Sequence, residues 1–230
     1  GMNKICNSLS WPDVAAYADW AGLRPMSELE FEKSCRGPNN ALYQEYAWGT
    51  TNIGFPPAGY TMTNTAMPSE SLTGLLPNAG NAIWYETYSG AYPSRTGIFA
   101  ASSANHTRQE TGATYYGVME MSGSAVEMTV HAGSLAGYTY RSNHGNGSLN
   151  SAGFADVDYW PGINGNSLST VASVAYSGTG VSGTGGVLIR GGYYNSLQTG
   201  LQTSYRPAYT GLNLLQRSHQ NSGRLVRTAP

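Results

Sequence analysis

Charge is scarce in this 230-residue chain: Asp, Glu, Lys and Arg together make 11% of it, against roughly 25% in an average soluble domain. Lysine occurs only at Lys4 and Lys33, and no acidic residue follows Asp158. Cysteine occurs only at Cys6 and Cys35, which excludes a scaffold stapled by several disulfides and leaves room for one bridge at most. No apolar run approaches the roughly 18 residues that cross a bilayer. No secretory leader is visible at the start, so the N-terminus leaves the compartment open. The four histidines, His106, His131, His144 and His219, show no H-x-x-x-H spacing. There is no G-x-S-x-G elbow and no H-E-x-x-H, and the glycines of GTGVSGTGG lack the lysine and following helix of a phosphate loop.

What is abundant is glycine (30), tyrosine (17) and neutral polarity, beside 40% hydrophobic residues. Aromatics and apolar residues at that level exclude a disordered chain. Its length suits one large domain, residues 1–230, or at most two small ones, with a real core. The net charge of −1 hides an asymmetry: Arg190, Arg206, Arg217, Arg224 and Arg227 put +5 beyond Asp158 and leave −6 before it. Five scattered arginines make no basic cluster, so no nucleic-acid partner is expected.

Two helices announce themselves. In SWPDVAAYADWAG, Ser10 is the N-cap, Pro12 sits in the first turn, and Asp13 stands where a capping-box acid belongs. Val14, Tyr17, Ala18 and Ala21 form the apolar stripe and Gly22 the stop. SELEFEKSCRG repeats the grammar with Ser27, Glu30 and Gly37. Residues 38–114 read as long loops with brief strands or turns. GVMEMSG and AVEMTV (117–130) alternate like strands, and VLIRGG and GRLVR read as short buried strands.

The order of these motifs is that of a known family. SWPDVAAYADWAGLRPMSELEFEKSCRG with YAWG, then YYGVMEMSGSAVEMT, VLIRGGYYNS and SGRLVRTAP, resembles the four blocks of the formylglycine-generating-enzyme (sulfatase-modifying factor) family. The resemblance implies an α+β, C-type-lectin-like fold: two helices beside small twisted antiparallel sheets, with long irregular loops. It does not imply that family's chemistry. Its oxidase members use a pair of C-terminal cysteines, and here none follows Cys35. Cys35 stands where the family has a small helical residue, so a buried packing role is expected of it. The family's GNVWEW loop contributes to a calcium site. Here GSAVEM keeps Glu127 and puts Ser124 in place of the asparagine, so Ca2+ at Ser124 and Glu127 is a weakened expectation. Asp156 and Asp158 in FADVDYW are weaker metal candidates still.

The stretch after RGG is too polar for a core strand and too aromatic for a linker. Tyrosine with asparagine and serine is the composition of binding loops, because tyrosine gives contact area at low entropy cost and small polar residues adapt their hydrogen bonds. This stretch, 190–227, resembles the variable region in the variable proteins of diversity-generating retroelements, which display a diversified C-terminal surface on this same fold. The ligand-binding residues so expected are Tyr193, Tyr194, Asn195, Leu197, Thr199, Leu201, Thr203, Tyr205, Arg206, Tyr209, Asn213, Arg217, Ser218, His219 and Asn221. The resemblance implies a non-catalytic receptor or adhesin-type protein, at a cell or virion surface or secreted. Its partner would be a protein or glycan on another cell or virus. An enzyme or accessory of the sulfatase-modifying-factor family, or a fixed structural module, are the alternatives.

Overall fold

The computed structural model describes residues 3–54, 60–65, 67–85, 94–138, 140–162, 181, 185–207 and 214–229. Its architecture is mixed α+β, with short helices and small sheets joined by long irregular segments. The chain forms two compact units, each assembled from three stretches of sequence: Gly1–Asn7, Phe31–Glu127 and Arg190–Pro207 in one, Ser8–Glu30, Met128–Ile189 and Ala208–Pro230 in the other.

Helix α1, Trp11–Trp20, starts where its cap dictates. The Asp13 amide donates to the Ser10 hydroxyl at 3.3 Å, and the Ser10 amide donates back to the Asp13 carboxylate at 2.9 Å. The buried face is Trp11, Val14, Ala15 and Ala18, while Tyr17 and Ala21 are exposed. The stripe thus starts one turn earlier than expected, at Trp11, whose indole donates to the Pro161 carbonyl at 3.0 Å. Helix α2, Glu28–Arg36, has the second capping box: Ser27 and Glu30 exchange bonds at 2.9 and 3.2 Å.

Strand β1, Arg24–Pro25, pairs antiparallel with β7, Leu225–Val226. GRLVR therefore does form a strand, but a half-exposed one rather than the buried one its apolar residues suggest. Strand β4, Val126–Val130, lies between β5, Val187–Arg190, and β6, Asn221–Gly223, and is buried along its whole length. In the 38–114 region, β2, Thr61–Thr63, and β3, Ser71–Thr73, form a hairpin, and a short helix α3 spans Ile98–Ser102. A single-turn helix, α4, Leu135–Tyr138, follows β4. GVMEMSG is not a strand. Gly117, Glu120, Gly123 and Ser124 take φ of 79, 56, 85 and 65°, which breaks any ladder. Met121 and Ser122 are nevertheless buried, so an alternating pattern here marks a buried loop. Asp156 and Asp158, the weaker metal candidates, lie in an irregular segment beside an isolated bridge of Ala155 to Leu149, and Asp156 accepts from the Asn146 side-chain amide at 2.7 Å. The two cysteines are free, Cys6 exposed and Cys35 buried.

Gly37, just past α2, sits at φ 64°, and a Cβ there would lie 2.2 Å from the Tyr115 ring. Left-handed backbone costs an L-residue roughly 1–2 kcal/mol before any clash. Gly37→Ala is therefore expected to lower stability by about 2 kcal/mol or more, read as a reduced urea midpoint. An unchanged midpoint would refute the packing of Tyr115 on the helix end.

Candidate functional site

The RGG turn is fixed from below by one buried cation. Arg190, 1% exposed at the end of β5, donates to the Glu32 carboxylate at 2.8 Å and to the Thr203 carbonyl, and its guanidinium lies 5.1 Å from the Phe31 ring centre. Glu32 is shared by three arginines: Arg36, Arg190 and Arg206, the last at 2.6 Å. Arg36 reaches on to Glu45 and to the Ser204 hydroxyl. Burial raises the Glu32 pKa, but the hydrogen bonds from Arg190 and Arg36 prevail and hold it below the usual carboxylate range. Cys35 lies in the same interior, where burial and the Glu127 carboxylate push its thiol up to about 12. At neutral pH it is a thiol rather than a nucleophilic thiolate, in keeping with a packing role.

The two glycines have a steric reason. At φ 81°, a Cβ on Gly191 would stand 2.7 Å from the Glu127 carboxylate and 2.8 Å from the Met121 carbonyl. One on Gly192, at φ 70°, would stand 2.9 Å from the Gly200 carbonyl. The backbone beyond is tied down in turn. Gly123 donates to the Gly191 carbonyl at 2.7 Å, Tyr194 to the Ser124 carbonyl at 3.0 Å, and Tyr193 to the Ser196 hydroxyl at 2.9 Å. A 3-10 turn over Gln198–Leu201 follows, and Thr203 donates to the Glu45 carbonyl at 2.8 Å.

This backbone sorts the expected residues. Leu201, 0% exposed, packs among Tyr46, Trp48, Ala82 and Trp84, and Thr203 is buried against Cys35. Both support the stretch from inside and offer no side chain to a ligand. Tyr193 and Tyr194 are half-buried and meet edge to face at 5.5 Å, with Tyr194 seated on the cluster of Tyr60, Leu72, Ile83, Ile98 and Phe99. Asn195, Leu197 (63% exposed), Thr199, Tyr205 and Arg206 face outward. Tyr85 joins them: its amide donates to the Ser196 carbonyl at 3.0 Å and its ring is half exposed. Sequence reasoning missed Tyr85; the signal was a tyrosine ending the buried run Ala82–Trp84.

The remaining expected residues belong to the other unit. Arg217 grips Asp13 with two bonds, of 2.9 and 2.6 Å, and so anchors α1. That guanidinium outweighs the opposing effect of burial and, helped by Ser10, holds the Asp13 carboxyl well below the usual range. Ser218 is half-buried and bridges to Leu9, His219 is exposed, and Asn221 is buried in β6. Asn221 thus serves the sheet interior rather than a surface. Tyr209 and Asn213 lie outside the described residues.

Ser124 and Glu127 are both buried, and the Ser124 hydroxyl has no hydrogen-bond partner among the described residues. These are hard oxygen donors, the right kind for calcium, but calcium takes about six to eight oxygens. The described residues contain no group of three or more His, Cys, Asp or Glu able to hold a metal ion. Backbone carbonyls would have to complete a cage there.

Two capped helices, small sheets and an arginine-locked RGG turn define a loop-rich α+β protein of one recognisable kind. The chain belongs to the family described as sulfatase-modifying factor enzyme 1-like domain, which matches residues 6–229. Over 57 residues it is 42% identical to the formylglycine-generating enzyme of Mycobacterium tuberculosis (strain ATCC 25618 / H37Rv), a match covering 25% of this chain and 17% of that protein. No solved structure matches the chain. No helix among the described residues is long and apolar enough to cross a membrane.

Replacing Glu32 removes the shared counter-charge of a buried guanidinium, a loss of roughly 3–5 kcal/mol when a buried pair is broken from one side. Glu32→Gln is expected to destabilise by about 3 kcal/mol at pH 7. Because the carboxyl's pKa is depressed on folding, its contribution is present above the ordinary carboxylate value of 4.5 and lost as pH falls below it. The gap between wild type and variant, followed by thermal unfolding, should therefore close towards pH 3; a constant gap would disprove the charge argument.

Proposed function

We propose that this protein is a non-catalytic binding protein with a C-type-lectin-like fold, whose ligand meets the outward residues of the 193–206 stretch together with Tyr85. The observation behind this is the contrast within 190–206. The backbone is held by buried Arg190, two glycines without room for a side chain, and inserted Leu201, while Asn195, Leu197, Thr199 and Tyr205 face outward. Exposed tyrosine and small polar groups on a rigid base suit a protein or glycan ligand. The pattern supports a variable protein of a diversity-generating retroelement, acting at a cell or virion surface or after secretion.

The match to a formylglycine-generating enzyme favours a second reading, an enzyme or accessory of that family. Against it stand a single buried cysteine with a raised pKa and no cysteine beyond it.

Sequencing the 3′ end of the gene and its flanks across the source population tests the first reading. Substitutions should concentrate in codons for the outward residues, and a nearby near-copy should differ mainly at adenines. Uniform codons without a near-copy would end the diversification idea. Calcium at Ser124 and Glu127 belongs to the same reading. Added calcium chloride should raise the melting temperature reversibly on chelation, and an unmoved melting curve argues the site away.

A further inference from the structure

Away from the RGG turn, in the same unit, a cavity of about 370 Å³ opens beside β3. Sites for small molecules begin at roughly 300 Å³, so it is large enough for one ring with a short substituent. Leu72, Leu75, Leu76 and Pro77 line it with apolar surface, and Asn81, Ser103 and Glu110 are its buried polar members, the Ser103 hydroxyl being paired with His106 Nδ1 at 3.3 Å.

Glu110 is 2% exposed, and among the described residues its carboxylate accepts hydrogen bonds from neutral donors. These are the Asn78 amide at 2.8 Å, the Asn105 amide at 3.1 Å and the Asn105 side-chain amide at 2.8 Å. The Asn78 and Asn105 bonds outweigh burial and keep the carboxyl below its ordinary range, with exposed His106 adding the weakest attraction. No lysine or arginine among the described residues forms an ion pair with it. Cations of the same unit are engaged elsewhere: Lys4 with Glu70 at 2.8 Å, Arg95 with the Pro68 carbonyl, and Arg108 with the carbonyls of Cys35, Ala47 and Ala113. Asn81 is already satisfied. Its amide donates to the Ala79 and Glu110 carbonyls, and its oxygen accepts from the Tyr60 hydroxyl.

Buried charges in proteins are ordinarily paired. Here a carboxylate lies beside the cavity with no lysine or arginine paired to it among the described residues, and its three donors fix it rather than neutralise it. A neutral hydroxylated ligand would find the Asn81 amide and the Ser103 hydroxyl already bonded, and an anion would be repelled. We propose that this cavity binds a small organic monocation, an ammonium group on an apolar body, with the ammonium at Glu110 and the apolar part against Leu72, Leu75 and Leu76. Its occupancy is independent of what the RGG surface binds.

Benzylammonium, benzyl alcohol and benzoate share one ring and differ in charge, so titration calorimetry with the three probes on the whole chain decides. Benzylammonium should bind at least tenfold more tightly than benzyl alcohol, and benzoate not at all. Leu76→Trp, which fills the cavity from an apolar wall, should abolish benzylammonium binding while circular dichroism stays unchanged. Glu110→Gln should bring the ammonium and alcohol affinities together. Should that variant fail to fold, the three-probe comparison and Leu76→Trp still settle the matter. Equal affinity for ammonium and alcohol, no binding of either, or benzylammonium binding that survives Leu76→Trp would overturn the proposal.

Discussion

Everything on the RGG side of the molecule depends on how a buried guanidinium is neutralised. Arg190 lies inside, where an isolated charge would be prohibitively unfavourable, and Glu32 meets it from α2. That carboxylate also meets Arg36 and Arg206, and Arg36 brings in Glu45. Three guanidiniums thus share two carboxylates. A network of this kind is weak evidence for stability, since apolar packing of the same volume can do as well. What it supplies is direction. A guanidinium presents a planar fork of donors, so Arg190 fixes both the Glu32 carboxylate and the Thr203 carbonyl at set angles. The chain between 190 and 203 is thereby held at both ends by a single side chain.

Between those ends the glycines matter as much as the charge. Gly191 and Gly192 pass so close to Glu127, Met121 and Gly200 that no Cβ fits. The close approach lets the Gly191 carbonyl accept from Gly123, and so joins the RGG turn to the loop that leads into β4. Leu201 then inserts into an aromatic cluster. Its carbonyl accepts from the Ser122 hydroxyl at 2.8 Å, and that hydroxyl accepts from the Ala47 amide at 3.1 Å. Main-chain groups and small hydroxyls therefore hold a segment that no regular ladder holds.

What the sequence disclosed followed the range of the interaction. Both capping boxes were legible because each joins residues three apart, and both formed as read. The ordered motifs were likewise legible, and with them the family. Reading failed where burial and pattern part company. Met121 and Ser122 are buried in a loop whose residues alternate as a strand's would, and only left-handed backbone at Glu120 and Ser124 tells the two apart. Leu201 and Thr203 fell among the surface residues by composition, yet Leu201 at the end of the 3-10 turn and Thr203 beyond it are buried while Leu197 and Thr199 are exposed. The contact between Glu32 and Arg190 joins residues 158 apart and left no local trace.

The same division explains how a stretch so poor in charge can be both well fixed and chemically free. The bonds that set its course come from the Arg190 side chain, from Ser122 and Ser196, and from main-chain amides of Gly123, Tyr194 and Thr203. Asn195, Leu197 and Thr199 project from that course without setting it, and surface substitutions away from caps, cores and networks usually shift stability by no more than about 0.5 kcal/mol. Arg206 differs, because it both faces outward and shares Glu32 with the buried arginine. Whatever approaches the surface there competes with Glu32 for that guanidinium. A partner with its own carboxylate would then add an anion to a site where three cations share two, whereas a neutral partner would leave that excess as it is.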